Sequence, residues 1–469
     1  MAINGTPAKM NVHGQFEKLP MNEIAAKMNI PGRLERLPMT SYQRKLFTII
    51  ATAWLADQMD VALLSFLMGS LAAYFHLNLV QIGLLASMTY AGQLVGNVFV
   101  GVASDRFGRK VTFQVSMIIW GLASFGAAGA WSVASLMVFR LLIGIGVGGE
   151  APVAQALVSE FVPANVRGKY IAFMEGFWAV GYVLSGAIAY FLLPRVGWRW
   201  VFVVVGLLSI IIFVVRRHLP ESPRWLADKG RFEEADVILT GIEKEIVKRT
   251  KQPLLEPKPY QAEHITNKNC ILTLFEKVYI KRTLMAFSLW FFALLGFFGL
   301  SSWITVLLNA QGFSIVKSVG FLTLITTGGI PGFFAAAYML EKIGRKPTII
   351  FFLLMSAVTA YLYGHAANFN ILFITGFIMQ FFMFGMWSCL YAYTPELYPT
   401  HARSTGAGFS SAFGRLGAIS GPIIVGYVVN TIGQSGVFNL GAISFVIAAL
   451  LVLFLGMETK GLTLEEISR

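Results

Sequence analysis

Charge is what this 469-residue sequence lacks most. Only 13% of its residues are Asp, Glu, Lys or Arg, while 56% are hydrophobic, and soluble domains carry about 25% charged residues. A chain this poor in charge cannot dress a water-facing surface. Cysteine is nearly absent: Cys270 and Cys389 are the only two, which excludes a disulfide scaffold and a CxxC metal site and leaves two free thiols as the expectation. No apolar h-region stands at the start, whose first ~45 residues are polar, so no secretory signal peptide is expected. No HExxH or GxSxG motif occurs, and the six His are scattered. Gly144, Gly146, Gly148 and Gly149 lack the Lys-Ser/Thr of a phosphate-binding loop and sit inside an apolar run, where close helix packing is their better use. Nothing supports an enzyme, a cofactor or a metal.

What the sequence has is long apolar runs. A spanning helix needs about 20 mostly apolar residues, and such runs fall near 46–73, 81–103, 111–130, 132–157, 169–193 and 198–215, then 283–309, 318–340, 347–364, 369–393, 404–430 and 436–457. Backbone groups in lipid must bond internally, so the runs read as helices. The organisation expected is a tail (1–45), a six-helix half (46–215), a polar loop with short helices (216–282), a second half (283–457) and a second tail (458–469).

With both termini placed inside the cell, 32 of the 37 Lys and Arg fall on cytoplasmic segments and only Arg195, Arg199 and Lys317 outside. This asymmetry sets the expected orientation and makes the net charge of +13 a matter of topology rather than of nucleic-acid binding. A multi-pass inner-membrane protein, monomeric in the bilayer, is the expectation.

Two loop motifs recur at one offset. Asp105-Arg-Phe-Gly-Arg-Lys110 returns as Glu341-Lys-Ile-Gly-Arg-Lys346, and Glu160-Phe-Val-Pro-Ala-Asn-Val-Arg167 as Glu396-Leu-Tyr-Pro-Thr-His-Ala-Arg403, both 236 residues on. The chain therefore reads as a duplicated six-helix unit, with a binding site expected between the halves at mid-membrane. Asp105, Arg109, Glu160, Arg167, Glu341, Arg345, Glu396 and Arg403 lie at helix ends, where opposite charges can bias one conformation over another, or merely anchor the topology.

Gly101–Lys110 and Arg140–Gly149 resemble signatures of the major facilitator superfamily. Pro220–Arg224 and Glu458–Glu466 resemble the ends of the two halves in sugar porters. Trp54–Phe66, Leu34–Pro38 and Phe413–Gly421 are similar to the synaptic-vesicle-protein-like and bacterial niacin-transporter branch. The resemblance implies an all-α polytopic membrane protein of 12 transmembrane helices in two pseudo-symmetric halves, a secondary transporter working by alternating access. In proton-coupled sugar porters an acid of the first helix works with the fourth-helix arginine, and Asp60 and Arg140 match those positions.

Buried ionisable groups are expensive and mark function or pairing. Asp57 and Asp60, spaced i,i+3, share a helix face. Asp60 and Arg140 lie at similar depth, either as a proton-coupling pair or as a permanent tie between helices 1 and 4. Glu175 is a further coupling candidate, and Glu150 is a candidate or a partner for loop arginines. Arg415 has no acid at its depth in helices 7, 8, 10 or 11, so either an anionic substrate supplies its counter-charge or it bonds to helix-end carbonyls or to an acid of the first half. Gln380, Phe384, Trp387 and Tyr391 form one face of helix 10; Gln93 and Asn97 share a face, as do Trp178 and Tyr182 with Glu175, and Ser302, Thr305 and Asn309. Such stripes can stack and orient a flat solute. Trp303 and Trp131 read more readily as interfacial aromatics.

The expected activity is proton-coupled import of a small organic acid, with nicotinate the best single guess. Symport of a sugar, polyol or other aromatic acid is the alternative, and a transporter-like sensor or structural protein is the reading from another class.

Overall fold

The structure, a computed structural model, describes residues 29–216, 219–257, 270–399 and 402–460. Among them no strand occurs. The sequence Phe16–Met21, which nearly repeats Leu34–Met39 and reads as a local duplication or a chance match, lies outside the described residues.

The first half comprises α1 (Ile30–Glu35), α2 (Ser41–Phe75), α3 (Leu79–Phe107), α4 (Arg109–Ala128), α5 (Val133–Gly148), α6 (Glu150–Phe161) and α7 (Ala164–Arg216). α8 (Pro223–Asp228), α9 (Phe232–Thr250) and α10 (Cys270–Leu274) belong to the connecting segment. The second half comprises α11 (Ile280–Ser301), α12 (Ile304–Ala310), α13 (Ile315–Thr326), α14 (Gly329–Lys342), α15 (Arg345–Gly364), α16 (Phe369–Glu396), α17 (Arg403–Thr431) and α18 (Gln434–Leu455).

Eleven helical stretches among the described residues are long and apolar enough to cross a membrane. The expected fifth and sixth spans fall within the single stretch α7, which holds two helices joined across a kink at Gly197, whose φ of 78° only glycine adopts readily. Other spans are interrupted. The fourth breaks at Gly149 between α5 and α6, the seventh at Ser302–Trp303 between α11 and α12, and the eighth at Thr327–Gly328 between α13 and α14.

The halves repeat one packing plan. α2 packs on α7 and α3 on α5, and correspondingly α11 packs on α17 and α14 on α16. Small residues permit the approach: a Cβ on Gly92 would lie 2.9 Å from the Cα of Gly144, so α3 and α5 meet backbone to backbone. The halves meet through α3 against α17, α7 against α13 and α2 against α12.

One end of the bundle carries α1, α8 and α9 and is called the tail end; the opposite is the far end. Cross-half bonds lie toward the far end, where Ser87 Oγ donates to Ile419 O at 2.6 Å and Thr305 Oγ1 to Ser65 O at 2.8 Å. There, too, a Cβ on Gly83 would meet Pro422 O at 2.6 Å. At the tail end, α1, α8 and α9 bury Ile30, Leu34, Leu37, Leu226, Leu239 and Ile246 in a separate apolar cluster against α2.

Candidate functional site

Where the halves meet, a cavity of about 20 Å³ is lined by Trp54, Gln58 and Val61 of α2, Gln93 of α3, Val147 and Gly148 of α5, Trp178 of α7, Phe298 of α11, Trp387 and Tyr391 of α16, and Arg415 of α17. This volume holds about one water molecule. A ring-sized solute requires the lining to move apart.

The walls are aromatic. The Trp178 and Trp387 rings meet edge to face at 4.4 Å, Trp387 stacks on Tyr391 at 5.8 Å, and Phe297, Phe298 and Phe384 close around them. Unsatisfied polar atoms point to what the walls would hold. The indole Nε1 atoms of Trp54, Trp178 and Trp387, the Gln93 Oε1 and the Arg415 Nε are buried without a hydrogen-bond partner among the described residues. Each such group costs about 1–3 kcal/mol unless a ligand or water meets it. Three indole donors and a guanidinium around one void favour a ligand rich in acceptors. No carboxylate stands within ion-pair distance of Arg415 among the described residues, although Glu175 is within electrostatic reach.

Asp60 is placed differently. Its carboxylate accepts from Arg140 Nη1 at 2.8 Å, from Ser124 Oγ at 2.6 Å and from Trp120 Nε1, and both Asp60 and Arg140 are wholly buried. Arg140 Nη2 also reaches the Asp60 carbonyl, and its guanidinium lies over the Phe202 ring. This cluster ties α2, α4, α5 and α7 together inside the first half, away from the cavity lining. Asp57 and Glu150 are also fully buried. Glu175 is 3% exposed and accepts from Gln155 Nε2 at 2.9 Å.

Several candidates fall elsewhere. Asn309 does not reach the cavity. The break at Ser302–Trp303 turns the expected stripe, so that Thr305 bonds across to Ser65 and Asn309 Oδ1 accepts from Ser318 Oγ at 2.6 Å. Gln380 is buried but lies seven residues from Trp387, about 10 Å along the helix and beyond the lining. Asn97 is half-buried one turn past Gln93 and outside the lining. Tyr182 stands behind the wall, its hydroxyl 3.1 Å from Ser65 Oγ and its ring on Trp178 and Phe384. Trp303 is no interfacial residue: it is fully buried and donates to Pro422 O, whereas Trp131 is 78% exposed.

Sequence reading passed over Trp54 and Gln58, although with Val61 they are spaced i,i+4,i+7 on one face of α2. Glu221 and Glu458 entered only as parts of the motifs that end the two halves, with no contact assigned to them. Glu221 accepts from the backbone N–H of Arg109 and Lys110 at the start of α4, and Glu458 from Arg345 and Lys346 at the start of α15. Each carboxylate sits on a helix N-terminus, where unpaired N–H groups and the helix dipole favour negative charge. Burial pushes the Glu458 carboxyl up, but the backbone N–H bonds from Lys460, Arg345, Lys346 and Thr459 outweigh it and hold it below the usual carboxylate range. Gly108 and Gly344, with φ of 102° and 117°, make the turns that present those N–H groups.

Among the described residues, the loop ion pairs of Arg345 join helices of the second half. Arg345 binds Glu396 at 3.1 Å and Glu341 at 3.4 Å, and Thr459 Oγ1 donates to Glu396 at 2.5 Å. Arg109 donates to Ser104 Oγ at 2.9 Å. Glu160 lies within electrostatic reach of Arg109 and Arg224. Arg167 and Arg403 are half-buried at the same end, and the Asp105 side chain lies outside the described residues.

The profile of the "Sugar (and other) transporter" family matches residues 39–469. The niacin transporter NiaP of Acinetobacter baylyi is 34% identical over 424 residues, covering 90% of this chain and 95% of that protein. A synaptic vesicle 2-related protein of Xenopus laevis is 29% identical over 452 residues, covering 91% of this chain and 80% of that protein. Among solved structures, the partially occluded inward-open conformation of the xylose transporter XylE from E. coli superposes with a TM-score of 0.73 at 19% identity, covering 90% of this chain and all of that one. The matched family, the niacin relative and the xylose neighbour are transporters, not enzymes. The chain belongs to the sugar (and other) transporter family and is a multi-pass membrane transporter of the major facilitator fold.

Proposed function

We propose that the chain imports a small aromatic monocarboxylate, nicotinate first among candidates, by proton-coupled alternating access, with both termini in the cytoplasm of a bacterial cell and the monomer as the working unit. The observation that carries this reading is Arg415 at the edge of a cavity walled by Trp54, Trp178, Trp387 and Tyr391, with indole donors left without partners. A planar ring stacks on those walls, a carboxylate meets the guanidinium, and a ring nitrogen can accept from an indole N–H or from Gln93. The named activity of the Acinetobacter relative supports the choice of nicotinate. The tail end then faces the cytoplasm, and far-end closure makes the described conformation inward-facing and contracted around its site. The candidates for coupling are the buried carboxylates Asp57, Asp60 and Glu175, with Arg140 as the partner of Asp60.

The test is uptake of labelled nicotinate into proteoliposomes with and without an inward proton gradient. Accumulation should follow the gradient. Arg415→Ala should weaken binding about ten- to hundredfold, the equivalent of a charged hydrogen bond worth about 1.5–3 kcal/mol. Absence of nicotinate binding by the wild type sinks the reading. Transport of a sugar or polyol that survives Arg415→Ala would favour the alternative, to which Gln58 and Gln93 would be the orienting groups.

A further inference from the structure

The transport cycle needs a group that compensates Arg415 when no substrate is bound, because an uncompensated guanidinium is costly inside a membrane. Asp60 cannot serve. It is held by Arg140, Trp120 and Ser124 within the first half. Glu175 stands elsewhere. Eleven residues into α7 it lies at the depth of Arg415, twelve residues into α17, both roughly 17 Å from the tail-end helix starts. With the 236-residue repeat, Arg415 corresponds to Ala179, one helical turn from Glu175. The two groups therefore occupy nearly equivalent places on equivalent helices of the two halves.

Each is within electrostatic reach of the other, and no direct ion pair forms between them. Gln155 of α6 donates to Glu175, and Tyr391 of α16 and Arg415 of α17 lie within its electrostatic reach. α2, packed along α7, brings Asp57 and Asp60, the latter committed to Arg140. Arg415 is thus the cation placed to answer Glu175, and Trp178, one turn farther along α7, lines the cavity that Arg415 borders.

We infer that Glu175 is the resident counter-charge of Arg415 in the empty site and the proton carrier of the cycle, surrendering Arg415 to the substrate's carboxylate only when it is itself protonated. This rests on the anion reading above. The charges balance in both crossings. The empty carrier crosses with Glu175 ionised opposite Arg415. The loaded carrier crosses with a neutral Glu175 and the substrate carboxylate opposite Arg415. On the cytoplasmic side the substrate leaves, the Glu175 proton passes to solvent, and the resident pair is restored. One proton accompanies one monoanion, and no net charge moves.

The experiment uses the full chain in proteoliposomes with labelled nicotinate. A pH gradient should drive wild-type accumulation, and a membrane potential imposed without a pH gradient should not. Glu175→Gln should keep exchange of internal for external nicotinate but lose gradient-driven accumulation. Wild-type accumulation by Glu175→Gln, or accumulation driven by potential alone, overturns the inference. A substrate-free measurement separates it from the choice of nicotinate. Infrared difference spectra of Arg415→Gln should show a protonated carboxyl band at neutral pH that the Arg415→Gln, Glu175→Gln double variant lacks. If the wild type binds no nicotinate, the substrate assignment fails, and this band alone decides for Glu175; its absence overturns the inference whatever the cargo.

Discussion

Asp60 accepts from a guanidinium, an indole and a hydroxyl, so its ionised form is compensated on every side. Removing one partner of such a buried pair leaves the other charge stranded, at a cost of about 3–5 kcal/mol. Asp60→Asn should therefore lower the thermal unfolding midpoint of the detergent-purified protein, with the transport defect following the loss of folded material. A variant that melts like the wild type yet no longer couples to protons would return the carrier role to Asp60. The Asp60–Arg140 contact was legible in the sequence because two opposite charges at one depth in apolar helices have few other places to go. Arg415 was legible for the converse reason, having no acid on neighbouring helices of its own half. Trp54 and Gln58 were obscured by the aspartates beside them, and Asn309 was misplaced because helical periodicity assumes an unbroken helix.

Elements at the tail end are held by charge as well as by apolar packing. Arg33 of α1, 7% exposed at its side chain, binds Asp236 at 2.6 Å and Glu243 at 2.9 Å on α9, and Arg36 binds Glu243 at 2.6 Å. Burial pulls the Arg33 guanidinium down, but the bonds to Glu243 and Asp236 outweigh it and raise it above its ordinary value. Burial likewise pushes the Glu243 carboxyl up, and the bonds from Arg33 and Arg36 bring it below the usual range. A depressed carboxylate contributes stability that is present above its unfolded value, about 4.3, and is lost as pH falls through the lower folded value. Hydrogen exchange should show α1 and α9 protected at neutral pH and progressively released in acid below that range. Arg33→Gln should release both at neutral pH while leaving α2 to α7 protected. Uniform loss across the first half would mean instead that the tail cluster supports the membrane helices. The sequence marked this region as mixed-charge helix, but nothing in it paired a residue of the first tail with one 200 positions later.

The two-half architecture follows from the repeat, because a duplicated unit with apolar faces on both copies packs against itself about an axis. The conformation does not follow, since one sequence must serve states open at either end. Here the halves bond to each other toward the far end, through Ser87 to Ile419 and Thr305 to Ser65. Among the described residues, the ties of Arg345 to Glu341 and Glu396 stay within the second half and hold its tail-end helices together. Gly83 is the point where this can be reversed. Its bare backbone lies against the Pro422 carbonyl, which a Cβ alone would approach to 2.6 Å, so a bulky side chain cannot enter without parting α3 from α17. Gly83→Trp should hold the far end open and drive the tail end together. Spin labels on Val98 of α3 and Phe409 of α17, both exposed in the tail-end halves of their helices, should then report a shorter separation than in the wild type. Steady uptake should cease while substrate still binds from the far side. An unchanged label separation in a folded Gly83→Trp protein would mean that α3 and α17 do not form the far-end seal, and the closing surface would have to be sought between α7 and α13.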